Sequence, residues 1–257
     1  MNENENITDI SAYRAARRRA GNIRWVLILV FLVACMFGGY FFSISSFFGI
    51  REVIIEGNEK VEEQRIIDLA EIHLGDNIFS VDTGRAASWI KMEPHIKDAE
   101  IHRRLPHSLF ISVIERQAVA CLMTGHALVY VDAYGRVLER QSTWSSLDVP
   151  VISGVDLSGC GSMPGVTIDG EGMTEALSII NTLPDDAVDI GEINVENPQF
   201  IKVYTISGVE IRLGDCSDFQ KKYLTYSNII RDNETENGQP IGYIDVSIVD
   251  KPTLTYR

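Results

Sequence analysis

Hydrophobic positions fall along this chain in three regimes. From Trp25 to Ile50 there are 26 residues without a charge, and the core of that run, WVLILVFLVACMFGGYFF from Trp25 to Phe42, is almost continuously apolar. Eighteen residues at 1.5 Å rise give about 27 Å of helix, close to the hydrocarbon thickness of a bilayer. From about residue 48 to 116 the apolar pattern switches between period 2 and period 3.6. From 117 to 257, short alternating runs bounded by turn residues dominate, the pattern of a β-rich domain.

In the middle region, Ile50–Glu56 (IREVIIE) reads as a strand ending at the turn pair Gly57-Asn58. Glu62-Glu63 open a helix, with acids where the helix dipole favours them. Ile66, Ile67, Ala70 and Leu74 predict its buried face, and Gly75 its end. A second helix is predicted over Thr83–Met92, with Ala86, Ala87 and Ile90 inward and Pro94 just beyond. Ile96–Arg103 reads as a strand and Leu105–Ser108 as a turn. Leu109, Ile111 and Val113 alternate in a returning strand that ends at Glu115-Arg116. The order is β-α-α-β-β, an α+β module with helices on one face of a small mixed sheet.

In the last region, Ala118–Met123 and Ala127–Asp132 read as strands, and Asp132–Arg136 as a hairpin turn into Val137-Leu138. Val149–Gly154 is another short strand, and Asp156–Gly172 is a Gly- and Ser-rich loop. Met173, Ala176, Leu177 and Ile180 mark a helix stopped by Pro184. Ile190 with Ile193, Phe200–Ile206 and Val209–Gly214 are strand-like. Ser217-x-x-Gln220 has the form of a capping box, opening a helix with Phe219, Tyr223, Tyr226 and Ile230 on one face. Asp232–Gly238 reads as a polar turn and Ile241–Val249 as the last long strand. Lys251-Pro252 interrupts it before a short terminal strand at Thr253–Arg257. The region is a β-rich domain with two helices.

Charge gives the apolar run a direction. The 257 residues carry 23 Lys+Arg against 36 Asp+Glu, net −13, with 45% hydrophobic residues. That is too apolar for disorder, and the acidic balance argues against a nucleic-acid-binding face. Residues 1–24 hold five Arg and three acids, whereas residues 51–257 hold 18 basic and 33 acidic residues. With Arg14, Arg17, Arg18, Arg19 and Arg24 on its N-terminal side, the positive-inside rule keeps the N-terminus in the cytoplasm and exports the chain beyond about residue 45. A cleaved signal peptide would have a shorter apolar region. Leu32-Val33-Ala34-Cys35 has the look of a lipobox, but a lipidated Cys35 would begin a polar linker, and here seven apolar or Gly residues come next. The expected organisation is a basic cytoplasmic tail at 1–24, a transmembrane helix at 25–45, and exported domains at 48–116 and 117–257.

Candidate chemistry is sparse. Cys121, Cys160 and Cys216 lie outside the apolar run, an odd number at wide spacing, so any disulfide among them is undetermined and each reads most simply as a small buried residue. His73, His95, His102, His107 and His126 form no metal-ligand spacing and read as surface or strand-edge residues. No P-loop and no G-x-S-x-G elbow occurs. Gly159–Gly165 has the wrong spacing for a dinucleotide fingerprint. The expectation is no catalytic residue, no metal and no cofactor.

The ordered set of short motifs resembles the FtsQ/DivIB cell-division family, whose first exported domain is a POTRA domain. Its residues are Val53-x-Ile55-x-Gly57-Asn58, Asn77–Asp82 (NIFSVD), Pro94-x-Ile96-x-x-Ala99-x-Ile101-x-Arg103-x-Leu105-Pro106, and Leu109-x-Ile111-x-Val113-x-Glu115-Arg116-x-Ala118-Val119-Ala120. YVDAYGRVL at 130–138, VPVISG at 149–154, VEIRLGD at 209–215 and YIDVSI at 243–248 continue it. Glu62 departs from the Ser or Thr helix cap more usual in the family. The resemblance implies a membrane-anchored scaffold at the division septum. It would link division factors to cell-wall synthesis by binding two small bitopic coiled-coil proteins, FtsB/DivIC and FtsL. The POTRA domain would be a second interaction surface for other division components. A partner strand could add to the edge formed by Tyr243–Ile248 and Thr253–Arg257, with Tyr243, Ile248, Leu254 and Tyr256 giving specificity. The plain reading of the same residues is the last strands of the core. Polypeptide transport or outer-membrane assembly is the alternative for a POTRA-bearing chain. The roughly 140 residues after the module carry two predicted helices and are too few for an added barrel. A membrane-anchored hydrolase is a weaker alternative.

Overall fold

The computed structural model describes residues 5–125, 127–142, 148–157, 163–184, 187, 190–236 and 238–257. It divides into two compact units. One comprises Met1–Glu56, Gln64–Ala87 and Glu100–Ser112, the other Gly57–Glu63, Ser88–Ala99 and Val113–Arg257.

The first described element is helix α1 (Glu5–Ser43). Its 20-residue stretch Arg24–Ser43 is long and apolar enough to cross a membrane, and none of it is buried. A 3-10 turn at Ser46–Phe48 comes next. Then come β1 (Glu52–Glu56), α2 (Glu63–Ala70), α3 (Thr83–Ile90), β2 (Ile96–Arg104) and β3 (Ser108–Glu115), the expected β-α-α-β-β order. The strands form a mixed sheet in the order β1-β3-β2. β1 runs parallel to β3, with Glu52 opposite Ser108 and Glu56 opposite Ser112. The alternation read in β3 is real: Leu109, Ile111 and Val113 are all buried.

Helix α2 is shorter than its apolar spacing suggests. Glu71 adopts a left-handed conformation, φ 51°. The N–H groups of Ile72 and Glu71 then donate to the carbonyls of Ile67 and Asp68. This is a Schellman-type end built on Glu instead of Gly, one turn before Gly75. Leu74 is therefore 71% exposed, Ile67 is half-buried and Ile72 is buried instead. Helix α3 also ends two residues before Met92. Its start is capped by Asp82, whose carboxylate accepts the N–H of Arg85 at 3.1 Å.

The second unit is built on a nine-stranded sheet. Its strands are β4 (Ala120–Thr124), β5 (Ala127–Val131), β6 (Val137–Gln141), β7 (Val151–Ser153), β8 (Ile190–Asn194), β9 (Ile201–Thr205), β10 (Glu210–Gly214), β11 (Ile241–Asp245) and β12 (Thr253–Tyr256), and the helices are α4 (Met173–Thr182) and α5 (Phe219–Glu236). The order across the sheet is β12-β11-β10-β9-β8-β7-β4-β5-β6. The pairs β4–β7, β7–β8 and β10–β11 are parallel. Both helices contribute to one apolar core with Leu122, Val129, Ile152, Ile193, Val203, Ile211 and Ile244. The stripe read on α5 is its buried face: Phe219, Tyr223, Tyr226 and Ile230 are each 9% exposed or less.

Three details of this region differ from the sequence expectations. The Ser217 hydroxyl donates to Asp215 and does not cap α5. The helix instead starts from the carbonyl of Asp218, which accepts the N–H groups of Lys221 and Lys222. The tract from Asp232 is not a turn. α5 continues to Glu236, and Gly238, at φ 58°, closes it by donating to the carbonyl of Asn233. The last long strand stops at Asp245, because the Asp245 carboxylate accepts both the N–H and the hydroxyl of Ser247 and folds the chain into a turn. Part of the 156–172 loop pairs with β6: the N–H of Val137 donates to Val166 and that of Gly165 to Val137. His126, Cys160 and most of the Gly159–Gly165 tract lie outside the described residues.

Candidate interaction edge

Strand β12 has β11 on one side and no described strand on the other. It pairs antiparallel, with Tyr243 opposite Thr255, Ile244 opposite Leu254 and Asp245 opposite Thr253. The N–H of Arg257 donates to the carbonyl of Pro240 at 2.9 Å, so Arg257 faces β11. Backbone polarity alternates along an antiparallel strand, so Thr255 and Thr253 face β11 as well. The N–H and C=O groups of Leu254 and Tyr256 then point away from the sheet. The edge is four residues long, opens after Lys251-Pro252 and closes at Arg257. Shortness, a Pro and flanking cations are the usual protection of an edge against indiscriminate pairing.

The four residues expected at the partner surface do not form one patch. Leu254 and Tyr256 lie on the same side of β12, two residues apart. Leu254 packs against the core beneath α5, while Tyr256 is 41% exposed. Tyr243 is one strand in from the edge and on the opposite face. The Arg212 guanidinium lies 3.9 Å from its ring centroid, in cation–π geometry. Ile248 belongs to the turn after β11 and is 63% exposed. The residues of β11 are therefore already paired on both sides, and of these two strands β12 is the one at the sheet edge.

The face of the sheet away from the helices carries a cross-strand row that sequence reading missed. Register places Cys121, Val151, Glu192, Tyr204, Glu210, Tyr243 and Thr255 side by side on consecutive strands. The Arg212 Nε donates to Glu210 at 2.7 Å, and Lys202 Nζ lies 3.9 Å from the same carboxylate. Burial, and then the carboxylates of Glu210 and Glu192, raise the Tyr204 phenol above its ordinary range. The hydrogen bond to Glu210 likewise raises Arg212. The row is visible only once strand register is known, since its members are scattered over more than 130 residues of sequence.

Other shifted groups have structural partners or simple burial. The Ser217 hydroxyl, and then the Lys222 ammonium, hold Asp215 down at about 2. Burial pushes the Cys121 thiol up to about 11, which keeps it protonated and inert. Among the described residues no three His, Cys, Asp or Glu side chains converge in a metal-ligating group. Cys35, Cys121 and Cys216 are free thiols.

The short motifs of the first module have defined mechanical roles. A Cβ at Gly57 would fall 2.1 Å from the carbonyl oxygen of Val113. The Glu115 carboxylate accepts the N–H groups of Glu59, Lys60 and Val61, all at about 2.9 Å. Arg103 donates to the carbonyls of Ile78 and Val81 at 2.9 and 2.6 Å. A family model described as "POTRA domain, FtsQ-type" matches residues 48–116, and one described as "Cell division protein FtsQ/DivIB, C-terminal" matches residues 120–247. The cell division protein FtsQ of Syntrophotalea carbinolica is 31% identical over 225 residues, spanning 86% of this chain and 78% of that protein. The chain belongs to the FtsQ/DivIB cell-division family. The FtsQ of Geotalea daltonii is 26% identical over 93% of this chain and 88% of its own length. The DivIB of Clostridium acetobutylicum is 25% identical over 82% of this chain and 84% of its own. As an FtsQ/DivIB protein the chain carries β12 beyond residue 247, where the C-terminal family match stops.

Proposed function

We propose that this FtsQ/DivIB-family protein is a single-pass, non-catalytic scaffold of the bacterial division machinery. Arg24–Ser43 spans the cytoplasmic membrane with the Arg-rich tail inside, and the POTRA domain (48–116) and the β domain (117–257) work outside it. The protein gathers at the division septum and links division factors to septal cell-wall synthesis. Its partners are FtsB/DivIC-like and FtsL-like bitopic proteins, with further division components meeting the POTRA domain. Five Arg before an uncharged run support the orientation.

One observation carries the partner reading: β12 is a short, unpaired edge whose Leu254 and Tyr256 backbone groups face outward. An added strand would supply main-chain hydrogen bonds, and the half-exposed Leu254 and Tyr256 side chains would select the sequence that binds. Tyr243 acts by supporting β11 through its Arg212 stack, and Ile248 lies in the adjoining turn. The test is recovery of the FtsB/DivIC-like and FtsL-like proteins with the full-length chain and with Tyr256→Lys. The variant should fold normally and lose the partners. Undiminished recovery would overturn the assignment of this edge.

A further inference from the structure

The end of α1 is fastened to the first module, and the fastening carries a line of aromatic rings. The Asn77 amide donates to the carbonyl of Ser43 at 2.6 Å, satisfying an acceptor at the end of α1. Ile78 donates its N–H to Phe48 at 2.9 Å, Gly75 donates to Ile50, and Ile50 donates to Asp76. Only six residues separate Ser43 from Ile50, and this ladder pins them to the 75–78 segment. No free linker lets the module stand off from the helix.

Four Phe rings line this path. Phe42, in the last turn of α1, stacks on Phe47 with centroids 5.6 Å apart and meets Phe48 edge-on at 5.2 Å. Phe48 in turn meets Phe79 at 5.0 Å. Phe48 is half-buried, but Phe47 is 51% and Phe79 48% exposed. In an aqueous setting those two rings would be stranded apolar surface. The interfacial layer on each side of a bilayer is about 5–7 Å thick, and aromatic side chains concentrate there. Phe47 and Phe48 lie one step of that size from Phe42, and Phe79 lies one step beyond Phe48, so the ring contacts run from the helix end outward through the layer.

We propose that Phe47 and Phe79 are a lipid-docking surface of the POTRA module, inserted into the headgroup–acyl boundary of the membrane that α1 crosses. The module then lies against the bilayer in a fixed pose, held by Asn77 and the 48–50 ladder. The inference rests on Arg24–Ser43 spanning the bilayer, and it extends the membrane contact from the helix to the folded domain. It gives Asn77 and Phe79 of the NIFSVD motif a joint role: one fastens the helix end, the other meets the lipid.

The test is tryptophan quenching in the full chain, with Trp25, Trp89 and Trp144 replaced by Phe, reconstituted into phosphatidylcholine–phosphatidylglycerol vesicles. One variant adds Phe79→Trp, a second adds Leu32→Trp in the middle of the apolar helix. Bromine near the headgroup end of the acyl chain should remove most of the Phe79→Trp emission, while aqueous iodide removes little. Deep-chain bromine should quench Leu32→Trp, and this arm checks the spanning helix separately. Strong iodide quenching at position 79, with no bromine effect there and normal quenching at position 32, would overturn the docking proposal alone. Adding Phe47→Ser to the Phe79→Trp variant should shift quenching from bromine towards iodide; an unchanged ratio would also count against the proposal.

Discussion

Removing the Glu115 side chain should loosen the POTRA module by an amount that can be worked out. Its carboxylate accepts three successive backbone N–H groups, from Glu59, Lys60 and Val61, and so ties the end of β3 to the loop before α2. Burial raises the Glu115 pKa, but the three N–H donors outweigh it and the net shift is downward. Hydrogen bonds to a charged acceptor contribute about 1.5–3 kcal/mol each at buried sites. Glu115 is half-exposed, and water can reclaim part of the loop, so the set is discounted to roughly 2–3 kcal/mol for Glu115→Ala. For a folded part of about 200 residues that is a fall in Tm of about 5–10 °C. Glu115→Gln keeps one carbonyl acceptor and should lose about half as much. The assay is thermal unfolding of the detergent-solubilised full chain by tryptophan fluorescence. The sign of the pH effect is fixed. A depressed carboxylate pKa stabilises above the unfolded value of about 4.3 and loses that effect as pH falls through the folded value. The gap between parent and Glu115→Ala should therefore be full at neutral pH and close below about pH 4. A Glu115→Ala variant melting with the parent at pH 7, or a gap that widens in acid, would refute the reasoning.

Gly57→Ala forces a Cβ onto the Val113 carbonyl at φ 91°, and should cost at least about 2 kcal/mol in urea unfolding. Tyr226→Phe removes a buried hydroxyl that has no hydrogen-bond partner among the described residues, and should leave stability equal or raise it by about 1 kcal/mol; a clear loss would mean the hydroxyl is satisfied. Cys121 should resist maleimide at neutral pH in the folded chain and react once urea unfolds it, since burial holds its thiol near 11 and out of reach.

The elements most legible in the sequence were those whose side chains carry a periodicity. The α5 stripe and the β3 alternation stand in the structure as read, and the β-α-α-β-β order holds because each segment is bounded by its own turn residues. Helix ends were less legible. Glu71 and Asp218 take left-handed backbone that Gly usually supplies, so nothing in residue type marked the end of α2 or displaced the Ser217 cap. The candidate interaction edge was half legible. A terminal strand after Pro252 is visible, but which strand lies outermost depends on pairing. β11 runs parallel to β10 and takes β12 on its far side, and this moves Tyr243 inward and leaves Leu254 and Tyr256 at the rim. The row from Cys121 to Thr255 depends on register alone, which no local pattern encodes.

The central claim, partner capture at the β12 edge, is tested most directly by photocrosslinking in dividing cells. A photoreactive amino acid at Tyr256 is compared with one at Tyr134, which is 69% exposed in the turn between β5 and β6, at the far end of the sheet order. Capture at β12 should give adducts with a small bitopic coiled-coil partner from position 256 and none from position 134. Equal adducts at both positions, or none at 256 in cells that divide normally, would contradict it.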